Sequence, residues 1–269
     1  VLFGLAFGSF LNVCISRLPR HQSIVQPGSR CPRCGTAIRS VDNIPVLSWL
    51  LLRGRCRSCG KPIAWRYPLV EAATACLFLL CFLTFGLNTE GAGAAVLCFL
   101  LLGLAVMDAE TMLLPDAFTL PGIALGILYA AILPADSAMI RLRHAGEAAL
   151  WALAAAALLL AIRELYFLVR RQEGMGAGDV KLLALIAAWM GPELGGVALF
   201  LGVLSAAIYG AVGGIAGGMV GSAVRHLPAS GRRRPGQARL PLGVFLSAAA
   251  ICTLFEGQKI LNWYLQFFR

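Results

Sequence analysis

Long apolar runs alternate with short polar breaks along most of this chain. The runs occupy residues 1–15, 68–85, 91–107, 117–133, 145–169, 181–190, 194–224 and 240–255. A helix needs about 20 apolar residues to cross a bilayer core, and most of the runs come near that length. The sixth is short and the seventh is long and rich in glycine, with Gly191-Pro192 between them, which predicts a helical hairpin. The pattern therefore predicts an all-α polytopic membrane protein of about eight transmembrane helices. A single long polar stretch divides it into a first transmembrane helix at 1–15, a polar block at 16–67 and a membrane domain at 68–269. The first run has no small-residue cleavage site after it, so it reads as a spanning helix clipped at its start, not a signal peptide.

Composition supports a membrane protein. Of the 269 residues, 59% are hydrophobic and 13% charged, against about 25% charged in soluble domains, and mean hydropathy is +0.78. The net charge of +10 matters through its placement. The block at 16–67 holds ten of the 23 Lys and Arg, the loop at 170–181 three, and the loop at 225–239 five. With eight spans these segments share one side, and the positive-inside bias makes that side cytoplasmic. Reading residues 181–224 as one kinked helix would put Arg232, Arg233 and Arg234 outside, against the bias. The basic excess sets topology and meets anionic lipid. No basic face with stacking aromatics suggests nucleic-acid binding.

Within the block stand CPRCG (Cys31, Cys34) and CRSCG (Cys56, Cys59), separated by 21 residues. Each pair can offer two thiolates from one tight turn, closed by the following glycine. Two such knuckles make a four-thiolate site suited to a structural zinc, with no open position for water. Two disulfides are the competing reading, disfavoured in a reducing cytoplasm. The centre would carry charge −2, which Arg33, Arg55, Arg57 and Lys61 could offset. Cys14, Cys76, Cys81, Cys98 and Cys252 lie in apolar runs and read as small packing residues.

Acids at the edges of apolar runs are functional candidates, because burying a charge there is costly. Asp108 ends the third run, Asp116 follows Pro115, and Asp179 follows GMGAG at the start of the sixth run. By the topology above all three share the cytoplasmic boundary. Two carboxylates brought within a few Å cannot both ionise easily, so one keeps a proton while the other activates a water. Asp108 and Asp179 are the candidate pair. Asp116 could be only a helix cap, and Asp179 a cap neutralised by Lys181. Proton-coupled transport is the rival function, since transporters also place acids in broken helices. It would want acids nearer mid-membrane, and the sequence has no visible internal repeat.

Taken together, GSFLNVCISRLPR (Gly8–Arg20), the two Cys pairs around DNIPVLSWLLLRGRC, RYPLVE (Arg66–Glu71), MDAETMLLPD (Met107–Asp116), GMGAGDVKLLA (Gly174–Ala184) and LPLGVFL (Leu240–Leu246) resemble the bacterial type IV prepilin peptidases. In the last motif, Leu242 and Val244 stand where phenylalanine and proline are usual. The resemblance implies a polytopic aspartic protease of the Gly-x-Gly-Asp group in the bacterial inner membrane, with a cytoplasmic zinc-ribbon-like insertion after the first helix. It implies Asp108 and Asp179 as catalytic residues, with Asp116 outside that role. It further implies cleavage after glycine, at the cytoplasmic face, of leaders on type IV prepilins and type II secretion pseudopilins. Methylation of the new N-terminus from S-adenosylmethionine is expected too, the Cys block being tied to the bifunctional form; a peptidase without methylation is the alternative. Gly8, Asn12, Arg17, Arg53, Arg55 and Glu71 are candidates near the methyl donor by motif membership. Among them, Glu71 is best placed to hold a cationic amine or sulfonium.

Overall fold

A computed structural model describes residues 1–172, 175–223 and 241–266. Its helices are α1 (Leu2–Arg17), the short α2 (Leu47–Leu51), α3 (Arg66–Phe85), α4 (Thr89–Thr111), α5 (Asp116–Ile132), α6 (Ala138–Arg170), α7 (Ala177–Ala223) and α8 (Leu242–Gln266). Six of these are long and apolar enough to cross a membrane, and the apolar α5 is shorter at 17 residues. The basic loop expected at 225–239 lies outside the described residues.

Helix ends fall where local chemistry stops or starts them. The Asn88 side chain accepts from Gly91 N–H at 2.8 Å and opens α4, and Ser137 does the same for Ile140 at 3.3 Å to open α6. Met112, in the left-handed region, ends α4, and Pro115 then sets the start of α5. Inside α7, Gly191 takes φ 71° and ψ −174°, just before Pro192. The consequence is a reversal. A Cβ placed on Gly195 would stand 3.6 Å from Ala187 Cα, whereas eight residues of straight helix span about 12 Å. Leu199 likewise packs with Val180 and Leu183. The two halves of α7, 177–190 and 192–223, thus form the expected hairpin.

Two seams of small residues hold the bundle together. On α1, Gly4 and Gly8 touch the α3 backbone: an added Cβ would lie 2.6 Å from Ala75 Cα and 2.6 Å from Glu71 Cα respectively. On α5, Gly122 meets Leu185, and Gly126 meets Trp189 and Ala188, of α7. Both are small-xxx-small seams, which let backbones approach where lipid offers no hydrophobic drive. Gly8→Val should force α1 from α3 at a cost of about 1–3 kcal/mol, read as a lowered melting temperature in detergent. An unchanged melting temperature would contradict the seam. The core around Leu11, Leu101, Leu104, Leu182, Leu185 and Leu246 joins α1, α4, α7 and α8. Of the cysteines expected to pack, Cys14, Cys81 and Cys98 are buried, whereas Cys76 and Cys252 lie exposed on the helix surface.

Cross-helix contacts bring the functional ends to one pole. Arg66 at the start of α3 pairs with Glu110 near the end of α4 at 2.6 Å and donates to Ser16 on α1 at 3.0 Å. Lys181 near the start of α7 pairs with Asp116 at the start of α5. Val244 in the first turn of α8 bonds Asp108. Residues 18–65 sit at this same pole, between α1 and α3.

Candidate functional site

Asp108 lies in the last turn of α4 and is 5% exposed. Its Oδ2 accepts the N–H of Val244 at 3.1 Å, and the Gly243 N–H also reaches it. Asp108 thus meets backbone donors in the first turn of α8, where the Val244 N–H is shared with Pro241 O at 3.2 Å. Gly243 has to be glycine for this approach, since a Cβ there would stand 2.9 Å from Asp108 Oδ2. Asp179 is in the first turn of α7, half-buried, and its Oδ2 accepts from Gly176 N–H at 3.3 Å. The two aspartates come from distant parts of the chain, and packing around one leucine brings the helix ends that carry them together. Leu114, in the turn between α4 and α5, bridges them. It packs on Gly178, where a Cβ would be 2.9 Å from Leu114 Cβ, and on Gly243, at 3.2 Å from Leu114 Cδ1.

Two readings of neighbouring charges change. Lys181 does not neutralise Asp179; it pairs with Asp116 at 2.5 Å and ties α7 to α5. Asp116 makes no capping hydrogen bond, since Pro115 is the N-cap residue of α5. The part of Asp108 in organising α8, and the contributions of Leu114, Gly243 and Val244, were not visible in the sequence, because a helix start 136 residues away leaves no local pattern beside Asp108.

The four cysteines of the block converge. Their sulfurs all lie within 4.8 Å of one another, with Cys31 and Cys59 at 3.9 Å, so the cluster could hold a metal ion. Tetrahedral Zn–S bonds of about 2.3 Å place sulfurs roughly 3.8 Å apart, so the set fits after slight contraction. The two knuckles repeat each other. Cys31 N–H reaches Thr36 O at 3.0 Å, and Cys56 N–H reaches Lys61 O at 2.9 Å. Gly35 and Gly60 follow at φ 71° and 68°, where a side chain would be strained. The Thr36 hydroxyl beside Cys34 favours the thiolate form of that side chain, as a metal ligand requires. Arg57 is engaged elsewhere: it makes a bidentate pair with Asp42 and holds that carboxyl below the usual range.

Between the block and helices α1, α3 and α4 lies a cavity of about 610 Å³. Of the residues singled out for a methyl donor, Asn12, Arg17 and Glu71 line it; Arg53 and Arg55 are exposed and do not, and Gly8 packs on the α3 backbone instead. Asn12 donates to Tyr67 O at 3.0 Å, but its Oδ1 is buried without a partner, as is Nε of Arg66 on the same wall. Glu71 Oε2 accepts from Val46 N–H at 2.7 Å, and Ser9 bonds the same carboxylate. Val46 takes φ 60°, a costly value for a β-branched residue, so Glu71 pins a strained turn of the block onto α3.

Comparison with known proteins gives two family matches. Residues 2–85 match the bacterial peptidase A24 N-terminal domain, and residues 95–211 match the type IV leader peptidase family. A prepilin leader peptidase/N-methyltransferase of Myxococcus xanthus is 44% identical over 218 residues, covering 80% of this chain and 61% of that protein. Proteins of the same description from Aeromonas salmonicida and Pseudomonas aeruginosa are 35% and 33% identical, each match covering at least 98% of this chain and 92% of the relative. No solved structure matches.

Proposed function

The chain belongs to the type IV leader peptidase family, and from that premise we propose that it cleaves the leader from type IV prepilins, and pseudopilins, and methylates the N-terminus so exposed. The observation that supports this is the packing of Leu114 on Gly178, beside Asp179, and on Gly243, which touches Asp108, at the pole where the Cys block emerges. One carboxylate takes a proton from water while the other, protonated, gives its proton to the scissile carbonyl oxygen; the roles then reverse as the amine leaves. The N–H donors of α8 favour negative charge on Asp108. A basic leader held in the cytoplasm, on a pilin helix lying in the inner membrane, brings the cut bond to this boundary.

Zinc is the metal that the four-thiolate set suits, and its part is to hold the block together. For the second reaction, S-adenosylmethionine would supply an electrophilic methyl on a sulfonium. Asn12 and Glu71 would hold it: the cavity falls within the usual range for small-molecule sites, the orphan Oδ1 of Asn12 wants a donor, and a carboxylate suits a cation.

The test is to incubate membranes containing the protein with a prepilin and S-adenosylmethionine and to weigh the product. Two separate mass changes are expected: loss of the leader and gain of one methyl at the new N-terminus. An unprocessed prepilin would overturn the reading.

A further inference from the structure

Three carboxylates line the cavity under the Cys block: Asp42, Glu71 and Glu110. Two are already occupied. Asp42 is held by Arg57 through three hydrogen bonds, and Glu71 by Val46 N–H and Ser9. Glu110 differs. Its Oε2 accepts from Arg66 at 2.6 Å, while Oε1 has no hydrogen-bond partner among the described residues, and its side chain is 39% exposed. It also lies two residues beyond Asp108 in the last turn of α4. Two residues turn a helix by about 200° and advance it about 3 Å. Asp108 therefore faces α8 while Glu110 faces the cavity, with the width of one helix between them.

We propose that Glu110 receives the α-ammonium group freed by cleavage and acts as the base for its methylation, so that one helix end serves both reactions. This rests on the methyltransferase reading above. The carboxylate of Glu110 takes one proton from the ammonium. The neutral amine attacks the sulfonium methyl carbon, the carbon–sulfur bond breaks with its electron pair going to sulfur, and the product is a methylated secondary ammonium and a neutral thioether. Glu110 then passes the proton to water. Arg66, whose second nitrogen is tied to Ser16, fixes the rotamer of Glu110 and leaves the other oxygen free. Arg17 and Arg20 are further charges on the same wall. To go from Asp108 to Glu110 around the end of α4 is a path of roughly 15 Å, half the girth of a helix. About five extended residues cover that distance, so the cleaved pilin can swing across without leaving the enzyme.

The experiment supplies already mature pilin as acceptor and radiolabelled S-adenosylmethionine as donor, which bypasses the peptidase. Glu110→Gln should lower kcat/KM for methylation about tenfold near pH 7, where roughly a tenth of the α-amine is neutral without a base. The defect should shrink toward pH 9, where the α-amine, with a pKa near 7.7–8.0, is neutral without help. Binding of S-adenosylhomocysteine, measured by calorimetry, should stay within about twofold of the unmodified protein, and Glu110→Asp should recover part of the rate. Unchanged methylation, a defect equal at every pH, or equal loss of S-adenosylhomocysteine binding would each overturn the assignment. If the unmodified protein neither binds the analogue nor methylates mature pilin, the methyltransferase reading itself fails and takes this proposal with it.

Discussion

Asp108→Asn and Asp179→Asn should each reduce leader removal by about four orders of magnitude, while leaving the amount of protein in the membrane unchanged. The size follows from the chemistry: general acid and general base catalysis contribute about 10²–10⁴ each, and neither carboxyl of a dyad can act without its partner. Asparagine keeps the shape of the side chain, and its amide oxygen can still accept from Val244 N–H, so α8 should remain seated on α4. That separates chemistry from folding. The measurement is single-turnover cleavage of a prepilin in detergent, read by mass. Full activity in either variant would show that the pairing of these two residues is not the source of cleavage. Asp116→Asn serves as the contrast. It removes only the surface pair with Lys181, and exposed pairs of this kind are worth about 0–1 kcal/mol, so cleavage should fall little.

The second large effect concerns the Cys block. Among residues 18–65, only Cys31 and Gly54 are buried, so the block has almost no core of its own. Structural zinc centres in small domains supply about 10–16 kcal/mol of apparent binding energy, more than any other contact available to this segment. Cys31→Ser, or a strong chelator, should therefore unfold the block and open its many arginines to trypsin. Methylation should disappear, because Glu71 loses Val46 and the cavity loses its roof. Leader removal should continue, since Asp108 and Asp179 stand on α4 and α7 and are braced by α8. Equal and complete loss of both activities at normal protein levels would contradict a purely structural metal.

The sequence displayed some of this directly and hid the rest for physical reasons. Apolar runs, the Gly191-Pro192 break and the two Cys pairs are local patterns, and each reappears as helix, hairpin or knuckle. The edge positions of Asp108 and Asp179 were readable because a charge ending an apolar run is costly and so conspicuous. Their neighbours were not. Lys181 looks like the partner of Asp179 by proximity in the chain, yet it answers Asp116, 65 residues away. Gly4 reads as unremarkable inside a short apolar run and Gly8 stands out only by its motif, whereas the meaning of both lies in the α3 backbone they touch. Glu110 resembles an ordinary helix-end acid until the cavity on its far side is seen.

The seam between α1 and α3 has one more consequence. Ser16, where the chain leaves the bundle, and Arg66, where it returns, are hydrogen-bonded at 3.0 Å, and the glycine contacts below them close the two helices without help from the polar stretch between. The cysteine-bearing stretch therefore leaves and rejoins the bundle at one spot. A change in the length of that stretch need not move either stem, since both are already held to each other.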